Sequence, residues 1–387
     1  MSSSVVIIGA GPGGAAAAVS LAQRGVRDVV LLDKDTFPRD KTCGSGLSPN
    51  AVSLLGELGL EADVRRLGYP INGLRLVTPG GREMRLVSEE AAIILLRKTF
   101  DNLMVERARA LGVDLREGFH AREILREGGR AVGVRGRDGQ EVRASYVLVA
   151  DGAHSIFSAD PRPKRTISTL MGWWEGVACT PNMVEMIFDK NLAPLYGWLF
   201  PEGGDRVNIG ICMDGEDEGK KTGRNVRDVF ARFLADHYQD RLSGARQIGR
   251  FKGHPISYTT WIGHTHAPGL VFLGEAARMT HNATGEGIYQ AMQSGVYAAE
   301  AVASALSGVP EERAMSRYAW ACRRRFTASF LVGHAVRGLV QTPLLDGVAA
   351  LYNSRSARGA FSEVFASALA GSKIKSRAPV GEGVASV

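Results

Sequence analysis

Three glycines, a proline and an aspartate near the start of the chain carry the clearest chemistry. Gly9, Gly11, Pro12 and Gly14 follow the apolar run Val5-Val6-Ile7-Ile8, and Asp33 closes a second run, Val29-Val30-Leu31-Leu32. Strand, glycine turn, helix, strand and acid in that order are the pattern of a dinucleotide site. Gly9 supports the tight turn, Gly11 lets the backbone approach a pyrophosphate, and Gly14 allows close helix–strand packing. The phosphate charge then rests on a helix N-terminus, where unpaired N–H groups and the dipole favour an anion. Asp33 is expected to accept the ribose hydroxyls, with Lys34 beside it among the cofactor-binding residues.

Two distant segments read as parts of the same site. Asp151-Gly152 directly follows the apolar strand Tyr146–Val149, and Gly274-Glu275 follows another buried run and continues to Gly285-Glu286-Gly287-Ile288. An acidic side chain there suits a ribityl hydroxyl, and a glycine-rich helix start can turn its N–H groups to a flavin pyrimidine. Cys43 and His281, alongside water, are the candidates for proton chemistry. Lys41 and the glycines around Cys43 favour a reactive thiol beside a flavin edge, against simple packing in a tight loop. His281 reads either as a proton donor near the flavin or as a packing histidine. Tyr196 and Trp198 fall on one strand face, as cavity wall or as core, with Phe200 following in the same register. No metal-spaced cluster stands out.

These residues need a scaffold. Gly25 stops the first helix, and Ser48-Pro49 caps a helix over Asn50–Leu60. A hairpin is expected over Leu74–Val87 around Pro79-Gly80-Gly81, and Thr99 reads as the cap of a helix running to Leu111. A second hairpin spans Ala131–Val149 with its turn at Asp138-Gly139. Strands over Val184–Phe188 and Val207–Cys212, a helix over Val226–Tyr238, and four of the five tryptophans mark the region from about 160 to 265. Gly269–Gly274 is a buried strand, Gly285–Leu306 a long small-residue helix, and Arg313 onward helical and basic.

The 387 residues suffice for two domains, and 45% hydrophobic with 22% charged residues is ordinary for a globular protein. The net charge of +7 concentrates late in the chain, at Arg313, Arg317, Arg323, Arg324, Arg325, Arg337, Arg355 and Arg358. Such a face suits anionic lipid or a diphosphate, or is a solvated helix surface. No nucleic-acid reading module is present, so nucleic acid is not an expected partner. The 4 cysteines are scattered and form no CxxC pair. With no signal segment and no membrane-length apolar run, reduced thiols in a cytoplasmic protein, with peripheral membrane contact allowed, are the expectation.

The three-segment pattern resembles flavoproteins of the glutathione-reductase and aromatic-hydroxylase class, and more closely the geranylgeranyl reductase family. The resemblance runs from residue 5 to about 370. It is carried by Lys41-Thr42-Cys43-Gly44-Ser45-Gly46-Leu47, by Arg97-Lys98-Thr99-Phe100-Asp101, by Tyr196–Pro201 leading into Val207–Gly210, and by Thr284–Met292. It implies an α/β fold: a Rossmann-type FAD-binding domain, an inserted β-sheet substrate domain and a C-terminal helical region. The corresponding boundaries are 1–75, 95–160 and 266–310 for the FAD domain and 76–94 with 161–265 for the substrate sheet. A helical cap over 311–370 and a disordered tail over 371–387 complete the expectation.

By the same resemblance, Arg97 meets the FAD phosphates, Cys43 and Gly44 lie near the flavin, and Tyr196, Trp198 and Phe200 lie by the substrate. Two departures stand out: Glu275 where the family usually has aspartate, and His281-Asn282 where it has Asn-Pro. The implied activity is hydride transfer from reduced flavin to a carbon–carbon double bond of a prenyl-type or other hydrophobic substrate. The alternative is an FAD-dependent monooxygenase or halogenase acting on a hydrophobic or aromatic molecule. With one dinucleotide fingerprint taken by FAD, electrons must come from NAD(P)H docking transiently or from a protein donor such as reduced ferredoxin.

Overall fold

A computed structural model describes residues 3–353 apart from 159, 161, 163, 216–224 and 341. The run Ser3–Ile8 forms the central strand of a parallel sheet, flanked by Val29–Leu32 and Glu141–Val149. Val6 pairs with Val30 on one side and Val147 on the other. Asp114–Arg116 extends the sheet beyond Val29–Leu32, and Leu270–Phe272 extends it beyond Glu141–Val149, both in parallel. Covered on both faces, Val5–Ile8, Val29–Leu32, Tyr146–Val149 and Leu270–Phe272 are continuous buried runs, as the interior of a parallel sheet requires. An antiparallel hairpin, Ala121–Glu127 with Arg130–Gly136, adds on to Glu141–Val149.

Helix Pro12–Gln23 leaves the end of the first strand and packs against Ile288–Leu306. The approach is so close that a Cβ at Gly295 would lie 2.3 Å from the Gly13 carbonyl oxygen, and one at Gly13 would lie 3.1 Å from that of Ala291. Only glycine permits this contact, so the N-terminal fingerprint and the late helix are joined by backbone approach.

The second sheet runs in the order Arg246–Tyr258, Arg165–Glu175, Arg206–Asp214, Gly197–Gly203, Met183–Ile187, Tyr69–Val77, Glu83–Ile94 and Gly46–Leu47. Its two faces follow the period-2 alternation of strands. Leu170, Ile209 and Ile211 pack with Phe230 and Phe233 of helix Val226–Leu242. Met171, Tyr196, Trp198 and Cys212 form a separate cluster on the other face. That second face looks toward the nucleotide-binding sheet.

Several local expectations shift. The helix expected to start at Thr99 starts at Arg97, and the one expected from Gly285 starts at Ile288. Gly285 has φ +66°, a left-handed conformation that cannot belong to a right-handed helix. The C-terminal helices are Glu311–Val340 and Leu344–Asn353. They do not hold all of the expected arginines on one basic face. Arg323 donates to the Ile262 carbonyl, Arg325 to the Tyr289 hydroxyl, and Arg337 is buried against Asn282 and Asp214. Arg355, Arg358 and the expected disordered tail lie outside the described residues. Among the described residues, no helix is long and apolar enough to cross a membrane and no cluster could hold a metal ion.

Candidate active site

The two sheets enclose one continuous cavity of about 1780 Å³. Small-molecule pockets are typically about 300–1,000 Å³, so this space accommodates a dinucleotide together with a second molecule. Its floor is the carboxyl edge of the parallel sheet, where ligands of this fold class collect.

At one end Gly9 turns with φ +97°, and a Cβ there would lie 2.5 Å from the Ala150 carbonyl oxygen. This fixes Asp151-Gly152 beside the first turn. Gly11 is different. A Cβ on it would meet only the Arg39 guanidinium, at 3.9 Å, and otherwise project into open space at the start of helix Pro12–Gln23. That space is a cradle for a phosphate group. Pro12 also lines the cavity, whereas Gly14 lies behind it as a packing residue.

Asp33 is buried and accepts the N–H groups of Ala10 at 2.8 Å and Asp35 at 2.9 Å. It remains on the cavity wall, beside Lys34. Arg97 forms a two-pronged pair with Asp101, both bonds 2.7 Å, and Arg39 reaches the same carboxylate at 3.0 Å. Two guanidinium groups thus share one buried carboxylate, and Arg39 also lies 3.6 Å from Asp33 and 3.8 Å from Asp35. Arg39 Nε and Asp151 Oδ1 are buried without a hydrogen-bond partner among the described residues. Burial pushes the Asp151 carboxyl up to about 6. The cradle and the orphaned polar atoms fit a dinucleotide.

In the middle, Glu275 accepts the Ser257 N–H at 2.7 Å, and burial pushes its carboxyl up. Gly274 and Gly285 line the same stretch, as do Gly287 and Ile288 where helix Ile288–Leu306 begins. Lys41 Nζ lies 2.9 Å from His254 Nε2, and the His154 ring meets that of His254 edge-on at 5.2 Å. Burial, then the Lys41 charge, pushes His254 down to about 4, so Lys41 donates to a neutral imidazole. His154 and His254, and the pairing of Lys41 with His254, escaped the sequence reading. Lys41 and His254 are 213 positions apart, and no local pattern marks a histidine in the strand Arg246–Tyr258.

At the far end Tyr196, Trp198 and Phe200 stand side by side, with ring centroids 6.4 Å and 6.0 Å apart. Trp198 Nε1 donates to Asn208 at 2.7 Å, and Asn208 donates to the Gly172 carbonyl at 3.1 Å. Gly210 makes room for the indole, since a Cβ there would lie 2.2 Å from it. The Cys43 loop closes against this wall: a Cβ on Gly44 would lie 3.0 Å from the Phe200 ring. Cys43 lines the cavity, and its sulfur accepts the Ser45 N–H at 3.3 Å.

His281 stands apart. It is buried against helix Glu311–Val340, outside the cavity lining. Nε2 faces the Ser329 carbonyl at 3.2 Å and so carries the proton; Nδ1 faces the Thr284 N–H at 3.1 Å and accepts it. Burial pushes it down to about 4. Both nitrogens are committed to shaping the loop, so the reading of His281 as a proton donor beside the flavin is corrected to a structural one.

The fold and the site define an FAD-binding oxidoreductase: residues 2–330 match the family model described as FAD binding domain. The chain is 31% identical over 320 residues to the digeranylgeranylglycerophospholipid reductase of Methanosarcina mazei, covering 78% of this chain and 75% of that one. It is 30% identical over 325 residues to the menaquinone reductase of Mycobacterium tuberculosis, covering 77% and 76%. The solved geranylgeranyl bacteriochlorophyll reductase-like protein of Thermoplasma acidophilum superposes with a TM-score of 0.80 at 25% identity, covering 91% of each chain. The chain belongs to the geranylgeranyl reductase family of FAD-dependent enzymes.

Proposed function

We propose that this chain reduces isolated carbon–carbon double bonds in the prenyl chain of a lipid. The observation that carries the proposal is the continuity of the cavity. A dinucleotide cradle opens without a partition into an aromatic gallery, and Tyr352 and Met186 prolong the apolar lining beyond it. The relatives named above act on a digeranylgeranylglycerophospholipid and on menaquinone. A prenyl chain is what such molecules have in common, so this gallery takes the chain and leaves the head group outside.

FAD, when bound and reduced, supplies the hydride. The protein's own groups do the rest. Gly11, Arg39, Arg97 and Asp33 hold the nucleotide end, and Asp151, Gly152, Gly274 and Glu275 hold the middle. Gly285, Gly287 and Ile288 place a helix N-terminus against the far edge, where it favours negative charge. Tyr196, Trp198 and Phe200 align the apolar chain and exclude water, and the Cys43 loop closes the gap between wall and cofactor. NAD(P)H or a reduced ferredoxin supplies the electrons, and peripheral contact with a membrane delivers the lipid.

The test is anaerobic. Protein with reduced flavin is mixed with a geranylgeranyl lipid, and separately with oxygen. Reoxidation by the lipid with formation of a saturated product is expected. An unreactive lipid, together with a blue-shifted oxygen adduct, would instead establish a monooxygenase.

A further inference from the structure

Reduction of an isolated double bond needs a proton as well as a hydride. Several groups on the cavity wall are poorly suited to supply it. Tyr196 already donates its hydroxyl proton to the Thr284 carbonyl at 2.5 Å. Lys41 is engaged as a donor to His254. Asp151 sits beside Gly9 at the phosphate end, and Glu275 is engaged by the Ser257 N–H.

Glu286 differs from all of these. It lines the cavity on the loop whose Thr284 carbonyl receives the Tyr196 hydroxyl, so it belongs to the aromatic end. Three bonds hold the residue in place. Its N–H donates to Thr284 Oγ1 at 3.3 Å, its carbonyl accepts the His281 N–H at 2.8 Å, and Oε2 accepts from Gln290 Nε2 at 3.1 Å. Oε1 is buried with no hydrogen-bond partner among the described residues. A carboxylate oxygen held dry and unpaired is costly, whereas a neutral carboxylic acid in the same place is not. Burial pushes the carboxyl up, outweighing the opposing influence of Ser48, Gln290 and the Arg325 charge.

We propose that Glu286 is the acid of the reaction: its carboxyl proton goes to the alkene carbon that does not receive the hydride. This rests on the double-bond reduction proposed above. The substrate gains two electrons with the hydride at one carbon, and its π pair takes the Glu286 proton at the other. The cofactor is left oxidised by two electrons and Glu286 as a carboxylate. It regains its proton from water when the saturated product leaves.

The experiment compares wild type, Glu286→Gln and Glu286→Asp, each loaded with FAD, on a geranylgeranyl lipid in detergent micelles. General acid catalysis contributes about 10²–10⁴-fold, so Glu286→Gln is expected to lose at least about a hundredfold in turnover. Flavin content and melting temperature should hold. Glu286→Asp, an acid set back by one methylene, should keep measurable turnover and exceed Glu286→Gln. A readout independent of turnover is infrared difference spectroscopy: wild type should show a protonated carboxylic-acid carbonyl band that Glu286→Gln lacks. Turnover of Glu286→Gln within about threefold of wild type, or an unchanged carboxylic-acid band, overturns the assignment. If Glu286→Gln loses its flavin, Glu286→Asp decides, and equal inactivity in a flavin-loaded Glu286→Asp counts against a transferable proton. A wild type that reduces no lipid overturns the reading of the function itself, which the infrared result distinguishes from a failure at Glu286 alone.

Discussion

Replacing Gly11 with alanine isolates the cofactor cradle from the fold. Gly11 has φ −71° and ψ −176°, an extended backbone open to any residue. A Cβ there touches nothing closer than the Arg39 guanidinium at 3.9 Å. The apo protein therefore gains no strain, and the stiffer unfolded chain adds about 0.4–1 kcal/mol of stability. The methyl group does occupy the space through which a pyrophosphate approaches the helix. Losing one charge-assisted hydrogen bond costs about 1.5–3 kcal/mol, which is roughly ten- to a hundredfold or more in FAD affinity. Flavin fluorescence titration of the apo protein measures the affinity, and circular-dichroism melting measures the fold. Gly14→Ala is the contrast, since its Cβ would sit 1.9 Å from the Gly9 carbonyl oxygen. That variant should lose folding itself. Undiminished FAD affinity in Gly11→Ala would show that the phosphate lies elsewhere, and the nucleotide-end assignment would fall.

Three further outcomes follow from the same geometry. Asp101→Asn leaves the buried Arg97 guanidinium short of its carboxylate, while Arg39 keeps Asp33 and Asp35, and chemical denaturation should show a loss of about 3–5 kcal/mol. The double variant Arg97→Met/Asp101→Asn should recover part of it. His281, depressed to about 4 from 6.5, makes the unfolded state bind one more proton between those values. Stability therefore rises with pH through this window and is lost as pH falls, by about 1.4 kcal/mol per unit and about 3 kcal/mol in all. Denaturation curves at pH 7 and pH 4.5 should show this slope in wild type and a shallower one in His281→Gln. Gly210→Ala forces the Trp198 indole off its shelf. It should raise KM for the prenyl substrate more than it lowers kcat, since a wall residue holds ground and transition states alike; an unchanged KM would remove Trp198 from the substrate wall.

The strands of the nucleotide sheet were legible because burial on both faces leaves uninterrupted runs such as Val5–Ile8 and Tyr146–Val149. Ala121–Glu127 was not, since only Leu125 among its residues is fully buried and its sequence offers no clear alternation. The helix start moved from Thr99 to Arg97 because the buried pairing of Arg97 with Asp101 places both on one helix face. Tertiary electrostatics outweighed the local capping signal. The same holds in the site. The glycines and Asp33 announce themselves by spacing, whereas Lys41–His254 and the Glu286 environment exist only once the two sheets close. The two readings of His281 stayed open for the same reason: its partners, Ser329 and Phe330, lie on a helix that sequence proximity does not connect to it.

The close contact between helices Pro12–Gln23 and Ile288–Leu306 has a consequence for how the molecule is made. The ribosome delivers the first wall of the nucleotide site early and its last wall only after the whole second sheet has emerged. Ser3–Ile8 must likewise wait for Glu141–Val149, and that strand for Leu270–Phe272, before the parallel sheet is complete. Such sequence-distant pairings fold slowly and leave apolar edges exposed meanwhile. A nascent chain released before about residue 306 therefore presents a glycine-lined helix face with nothing to meet it.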